Sequence, residues 1–124
     1  MARILIIDDE AAMRAVLRES LERVGHEVVE AVDGETGLLC FKENPAELVI
    51  TDIFMPGKDG FATVEAFREE YRDVKILVVS GAGGLDDPGH YLNLAKRMGA
   101  DGTLSKPVQL DTLLESVEAL LSAK

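Results

Sequence analysis

The chain has 124 residues, enough for one domain with a buried core and too few for two ordinary ones. Its 13 Lys and Arg against 23 Asp and Glu leave a formal net charge of −10, which argues against direct nucleic-acid contact, where clustered cations must face the phosphates. No apolar run approaches the ~20 residues that cross a bilayer, no charged-then-apolar leader opens the chain, and the one cysteine, Cys40, cannot form an internal disulfide. A cytoplasmic protein with no membrane contact and a buried, reduced thiol is expected.

Strand-like and helix-like segments alternate from end to end. A first strand, Arg3–Ile7, precedes a helix with Met13, Val16, Leu17, Leu21 and Val24 at three- and four-residue spacing, closed by Gly25. Glu27–Ala31 interleaves apolar and charged residues, as expected of a strand near a sheet edge. Asp33-Gly34 turns the chain into a helix over 35–43 that ends at Asn44-Pro45. Residues 47–51 form a strand apolar at its centre, hence central in the sheet. A loop over 52–59 leads to a helix from Gly60 with Val64, Phe67 and Tyr71, then a strand over 75–79. The Gly-rich stretch 81–89 is irregular. Pro88 can start a helix carrying Tyr91, Leu94, Ala95 and Met98 that stops at Gly99. A strand over 101–104 and a helix over 108–121, with Leu110, Leu113, Leu114, Val117, Leu120 and Leu121 inward, complete five βα units. Parallel strands joined by right-handed helical crossovers place helices on both faces of one sheet. No repeat, linker or low-complexity tract interrupts it, and with both ends inside the domain no output domain is expected.

The polar residues gather where strands end. Arg3–Ile7 runs into Asp8-Asp9, Leu48–Thr51 into Asp52, Ile76-Leu77-Val78-Val79 into Ser80-Gly81, and Gly102–Ser105 into Lys106-Pro107. In a parallel α/β sheet all strand C-termini emerge on one edge, where ligands bind. Three carboxylates there repel one another unless a cation joins them, which calls for a divalent metal. Lys106 and Ser80 are left to hold an anion. Metal, anion site and a carboxylate nucleophile together describe acceptance of a phosphoryl group. Each residue has a plainer reading as well: Asp9 as the N-cap of the first helix, Ser80 as a strand-end cap, Asp52 as a loop cap. His26 and His90 read as lone, structural or exposed histidines.

Four signals in this order resemble the receiver domain of two-component response regulators across the whole chain: Asp8-Asp9, Asp52-x-x-Met55-Pro56-x-x-x-Gly60, Ser80-Gly81 and Lys106-Pro107. The resemblance implies a flavodoxin-like (βα)5 three-layer sandwich with a parallel five-stranded sheet of order 2-1-3-4-5. The length resembles stand-alone, chemotaxis-type regulators. By this resemblance Asp52 takes a phosphoryl group from a phosphohistidine on a sensor histidine kinase or phosphotransfer protein and becomes an aspartyl phosphate. Asp9, Asp52 and the Phe54 backbone carbonyl ligate Mg²⁺ (or Mn²⁺), with Asp8 acting mainly through a water. Lys106 pairs with Asp52 and then with the phosphoryl oxygens, across a cis Lys106–Pro107 bond. The Ser80 hydroxyl and the Ala82 N–H assist. A downstream protein is expected on the face of the fourth helix, fifth strand and fifth helix. Catalysis is limited to the protein's own phosphorylation and dephosphorylation, so no conventional enzyme is expected.

The chain also departs from the pattern. Thr103, three residues before Lys106, stands where many receivers carry Tyr or Phe, so a switch built from Ser80, Gly81, Ala82 and position 103 lacks its aromatic ring. The Ser80–Lys106 interval is longer than in chemotaxis-type receivers, with the surplus in the loop 81–89. Phe54 and Ala82 offer no side chain to orient an attacking water. Three alternatives fit less well. A degenerate receiver used as a scaffold conflicts with the intact Asp9, Asp52, Ser80 and Lys106. A flavin protein conflicts with Asp8-Asp9-Glu10 after the first strand, which would repel a phosphate. An aspartate-dependent phosphatase conflicts with Phe54, where a second acid is usual.

Overall fold

A computed structural model describes residues 2–53, 60–80 and 88–123, with side chains from residue 93 onward in the last segment. The chain alternates β1 (Arg3–Ile7), α1 (Ala11–Arg23), β2 (Glu27–Ala31), α2 (Gly34–Glu43), β3 (Leu48–Thr51), α3 (Gly60–Glu70), β4 (Lys75–Ser80), α4 (Pro88–Met98), β5 (Gly102–Ser105) and α5 (Leu110–Ser122). The strands are all parallel in the order β2-β1-β3-β4-β5. The fold is therefore the flavodoxin-like arrangement expected. The apolar β3 is central, and the charged β2 is an edge.

Side chains alternate across a strand, and the two faces of the sheet build two cores. Leu5, Ile7, Val49, Ile76 and Val78 pack with Phe41 of α2, Val64 and Phe67 of α3 and Ala95 of α4. Ile4, Ile6, Leu48, Ile50, Leu77 and Val79 pack with Leu17 and Leu21 of α1 and Leu113 and Val117 of α5. Three helices thus cover one face and two the other. Phe41 meets Phe67 edge-on, with ring centroids 5.3 Å apart, and Tyr71 at 4.4 Å. At the edge where β4 and β5 begin, Arg68 donates to the carbonyls of Gly99, Arg72 and Val74 and to the Asp101 carboxylate. The same carboxylate oxygen accepts the Ile76 N–H. One guanidinium ties the ends of α3 and α4 to the starts of two strands.

Local signals located the helix ends well. Asp33 caps α2 through a bond from Thr36 N–H, and Gly25 and Gly99 adopt positive φ beyond α1 and α4. Several details differ. The N-cap of α1 is Glu10, without a side-chain cap bond, so Asp9 does not cap that helix. Val16, Val24 and Leu110 are about half exposed, and Cys40 is only partly buried. α1 buries Ser20 instead, whose hydroxyl donates to Val16 O and so tolerates the interior. β5 and α5 each sit a residue or two later than their patterns suggest. His26 has partners: it accepts from Ala2 N–H and meets Glu118 at 3.2 Å. The His90 side chain lies outside the described residues. Among the described residues no helix is long and apolar enough to cross a membrane.

Candidate functional site

The β-ladder runs one residue past the strands and delivers two acids side by side. Asp8 N–H donates to Ala31 O and Asp52 N–H to Ile7 O, both at 3.1 Å. The side chains of Asp8 and Asp52 are buried at this edge, while Asp9 is exposed. Carboxylate oxygens of Asp8, Asp9 and Asp52 all lie within 4.8 Å of one another. On the next strand Ser80 ends β4 fully buried and pairs in register with Ser105. Lys106 N–H then donates to Ser80 O at 3.0 Å, which sets the lysine at the same edge. The Lys106–Pro107 peptide is cis.

Lys106 reaches across the cluster. Its Nζ lies 2.8 Å from Asp52 Oδ2, 3.6 Å from Asp8 Oδ2 and 3.7 Å from Glu10 Oε1. Burial pushes the lysine toward neutrality, but the Asp52 hydrogen bond and the charges of Asp52, Asp8 and Glu10 outweigh it and leave its pKa raised. The Asp8 pKa is also raised, which for a carboxyl favours the neutral form. Burial pushes its pKa up, and the repulsion of Asp52 and Asp9 adds to that. The Glu10 N–H and Lys106 offset only part. Among the described residues one ammonium faces the carboxylates of Asp8, Asp9, Glu10 and Asp52, which leaves the site short of positive charge. Hard oxygen donors so spaced suit Mg²⁺, which binds through one or two carboxylates and keeps waters; the donor set fits the ion.

The structure thus brings together Asp8, Asp9, Asp52 and Lys106, with Ser80 at the adjoining strand end. Thr103 sits on β5 opposite Val78, partly buried. Phe54, Gly81 and Ala82 lie outside the described residues. Two neighbours were not anticipated from the sequence. Glu10 adds an acid next to Lys106, and Arg14 donates from NH1 to the Asp8 carbonyl at 2.6 Å. For Glu10 the signal was available, since it directly follows the paired aspartates.

A sequence profile described as the response regulator receiver domain matches residues 4–118. The chain belongs to this family. It is 38% identical over 119 residues to the transcriptional regulatory protein PrrA of Mycobacterium tuberculosis, which covers 96% of this chain and 49% of PrrA. It is 33% identical over 123 residues to the DNA-binding dual master transcriptional regulator RpaA of Synechocystis, covering 98% of this chain and 49% of RpaA. The receiver thus spans about half the length of these curated relatives. Among solved structures it superposes on the chemotaxis protein CheY4 of Vibrio cholerae with a TM-score of 0.87 at 30% identity, covering 97% of this chain and 98% of that one. The receiver domain of NtrX from Brucella abortus gives a TM-score of 0.90 at 28% identity, covering 98% and 99%. The acid cluster of this receiver occupies the strand-end edge where α/β sheets bind ligands.

Proposed function

We propose that this receiver takes a phosphoryl group from a histidine kinase or phosphotransfer protein onto Asp52 and changes its partner binding as a result. The observation that carries this reading is Asp52 itself: buried at the end of the central strand, in contact with Lys106 and beside two further acids. A carboxylate oxygen of Asp52 attacks the phosphorus of phosphohistidine, a P–O bond forms as the P–N bond breaks, and the imidazole, already protonated on its other nitrogen, leaves neutral with the bonding electron pair. Lys106 turns from Asp52 to a phosphoryl oxygen, and the Ser80 hydroxyl donates to another. Asp8, Asp9 and Asp52 would hold Mg²⁺ or Mn²⁺, and by the family resemblance the Phe54 carbonyl would join them. The metal would neutralise charge on the carboxylates and the phosphoryl oxygens. Catalysis goes no further than the receiver's own phosphorylation and dephosphorylation.

The output is binding of a protein to the face of α4, β5 and α5, in the cytoplasm with the kinase. In the stand-alone, chemotaxis-type form that CheY4 resembles, that contact is the whole output. In a longer chain built like PrrA or RpaA, contact with DNA belongs to the remainder, because the receiver is strongly acidic. The scaffold alternative is not favoured, because Asp8, Asp9, Asp52 and Lys106 come together at one sheet edge. Incubation with Mg²⁺ and phosphoramidate, a small P–N donor, is expected to add one phosphoryl group by intact mass, and to add none with excess chelator. A mass unchanged under both conditions would refute the reading.

A further inference from the structure

We infer that Arg14 is a positioning residue for the acid cluster, fixing the peptide from which Asp9 departs; this rests on the divalent-cation reading of the site. The Asp8 carbonyl belongs to the peptide that joins Asp8 to Asp9. A planar peptide turns as one unit about the dihedrals on either side, so a hydrogen bond at its oxygen restrains that rotation. Arg14 NH1 holds that oxygen at 2.6 Å. The rest of Asp8 is tied as well, its N–H to Ala31 O at 3.1 Å and its Oδ1 to the Glu10 N–H at 2.9 Å. Asp9 is exposed, so the path of its carboxylate is set by the backbone it leaves, and Arg14 sets that backbone.

Arg14 is anchored on its other side. Its Nε donates to Glu30 Oε1 at 3.1 Å, and Glu30 Oε2 accepts from Arg18 NH1 at 2.6 Å. The two arginines hold the Glu30 carboxyl below the usual range, Arg18 contributing most, so Glu30 stays ionised as a fixed post. Arg14 thereby braces α1 and β2 against the loop that carries both acids. The planar fork is what permits this: Nε and NH1 point to two acceptors at once, which an ammonium on a flexible stem does not reproduce. Hydrogen-bond partners one layer behind metal ligands are typically worth 10–100-fold in metal affinity.

Calorimetric titration with MgCl₂, well below the melting transition, tests this. Arg14→Ala is expected to raise the Mg²⁺ dissociation constant roughly tenfold or more, and Arg14→Lys, which keeps the charge and loses the fork, is expected to raise it too. Arg23→Ala removes the exposed ion pair with Glu19 from the same helix without touching Glu30 or Asp8; it is expected to leave Mg²⁺ affinity unchanged. Should Arg14→Ala prove unfolded by circular dichroism, Arg14→Lys decides. Wild-type affinity in the folded Arg14 variants would overturn the inference while leaving the metal site standing. Absence of wild-type binding, or binding indifferent to Asp9→Ala, would overturn the cation reading and this inference with it.

Discussion

Asp8 carries a cost that the folded chain accepts for the sake of the site. Burial and two neighbouring carboxylates raise its pKa, so its charged form is less favourable folded than unfolded. A group with a raised folded pKa contributes stability that is complete below its unfolded pKa and lost as pH climbs through the folded one. As pH rises above the unfolded value, Asp8 increasingly destabilises the metal-free fold. Without divalent cations Asp8→Asn is therefore expected to melt above wild type at pH 7. The gap should close as pH falls toward the ordinary carboxylate pKa of about 3.9. A gap that held or widened in acid, followed by thermal unfolding, would contradict this. The identity of Asp8, Asp9, Asp52 and Lys106 was legible in the sequence because each lies at the end of a short strand-like run, and a parallel sheet brings such ends together. Arg14 was not legible. On a helix, spacing reveals which face is apolar, but not that a guanidinium will bend back to a carbonyl in the preceding loop.

At the scale of elements, the start of α3 is fixed by close approach to the site. A Cβ at Gly60 would lie 2.2 Å from Asp52 O and 2.4 Å from Ile53 Cα, both backbone atoms that cannot step aside. Gly60 N–H also donates to Ile53 O at 2.7 Å. Gly60→Ala is expected to cost on the order of 1–3 kcal/mol as overpacking, read as a lower urea midpoint, and to displace the Asp52 peptide so that phosphorylation slows. Strand order and helix placement followed from apolar runs and turn residues. The apolar spacing on α1 and α5 overstated burial at Val16, Val24 and Leu110, because these helices lie on one sheet face and bury a narrower stripe than the sequence offers. The switch is the least legible element. Thr103 on β5 supplies no ring, so phosphorylation is expected to act through residues 81–98 rather than through ring rotation. Hydrogen exchange with and without beryllofluoride, a phosphoryl mimic, is expected to change most within residues 81–98. A change concentrated instead in α1 and α2 would rule this route out.

The whole molecule bears a net charge of −10, and among the described residues its buried acids, Asp8 and Asp52, lie at the end of the sheet. A cation that binds only the folded cluster stabilises by mass action, about 1.4 kcal/mol at a tenfold excess over its dissociation constant. Millimolar Mg²⁺ at low salt is expected to raise the melting temperature, and Asp9→Ala to weaken that rise. An equal rise in both proteins would place the metal elsewhere. The same charge argues against direct nucleic-acid contact by the receiver itself. All these effects converge on one carboxylate. Borohydride converts an aspartyl phosphate to homoserine, so reducing the phosphorylated protein and mapping its peptides reads the acceptor directly. Homoserine is expected at position 52 alone; homoserine at position 8 or 9, or undiminished labelling of an Asp52→Asn protein, would contradict the account.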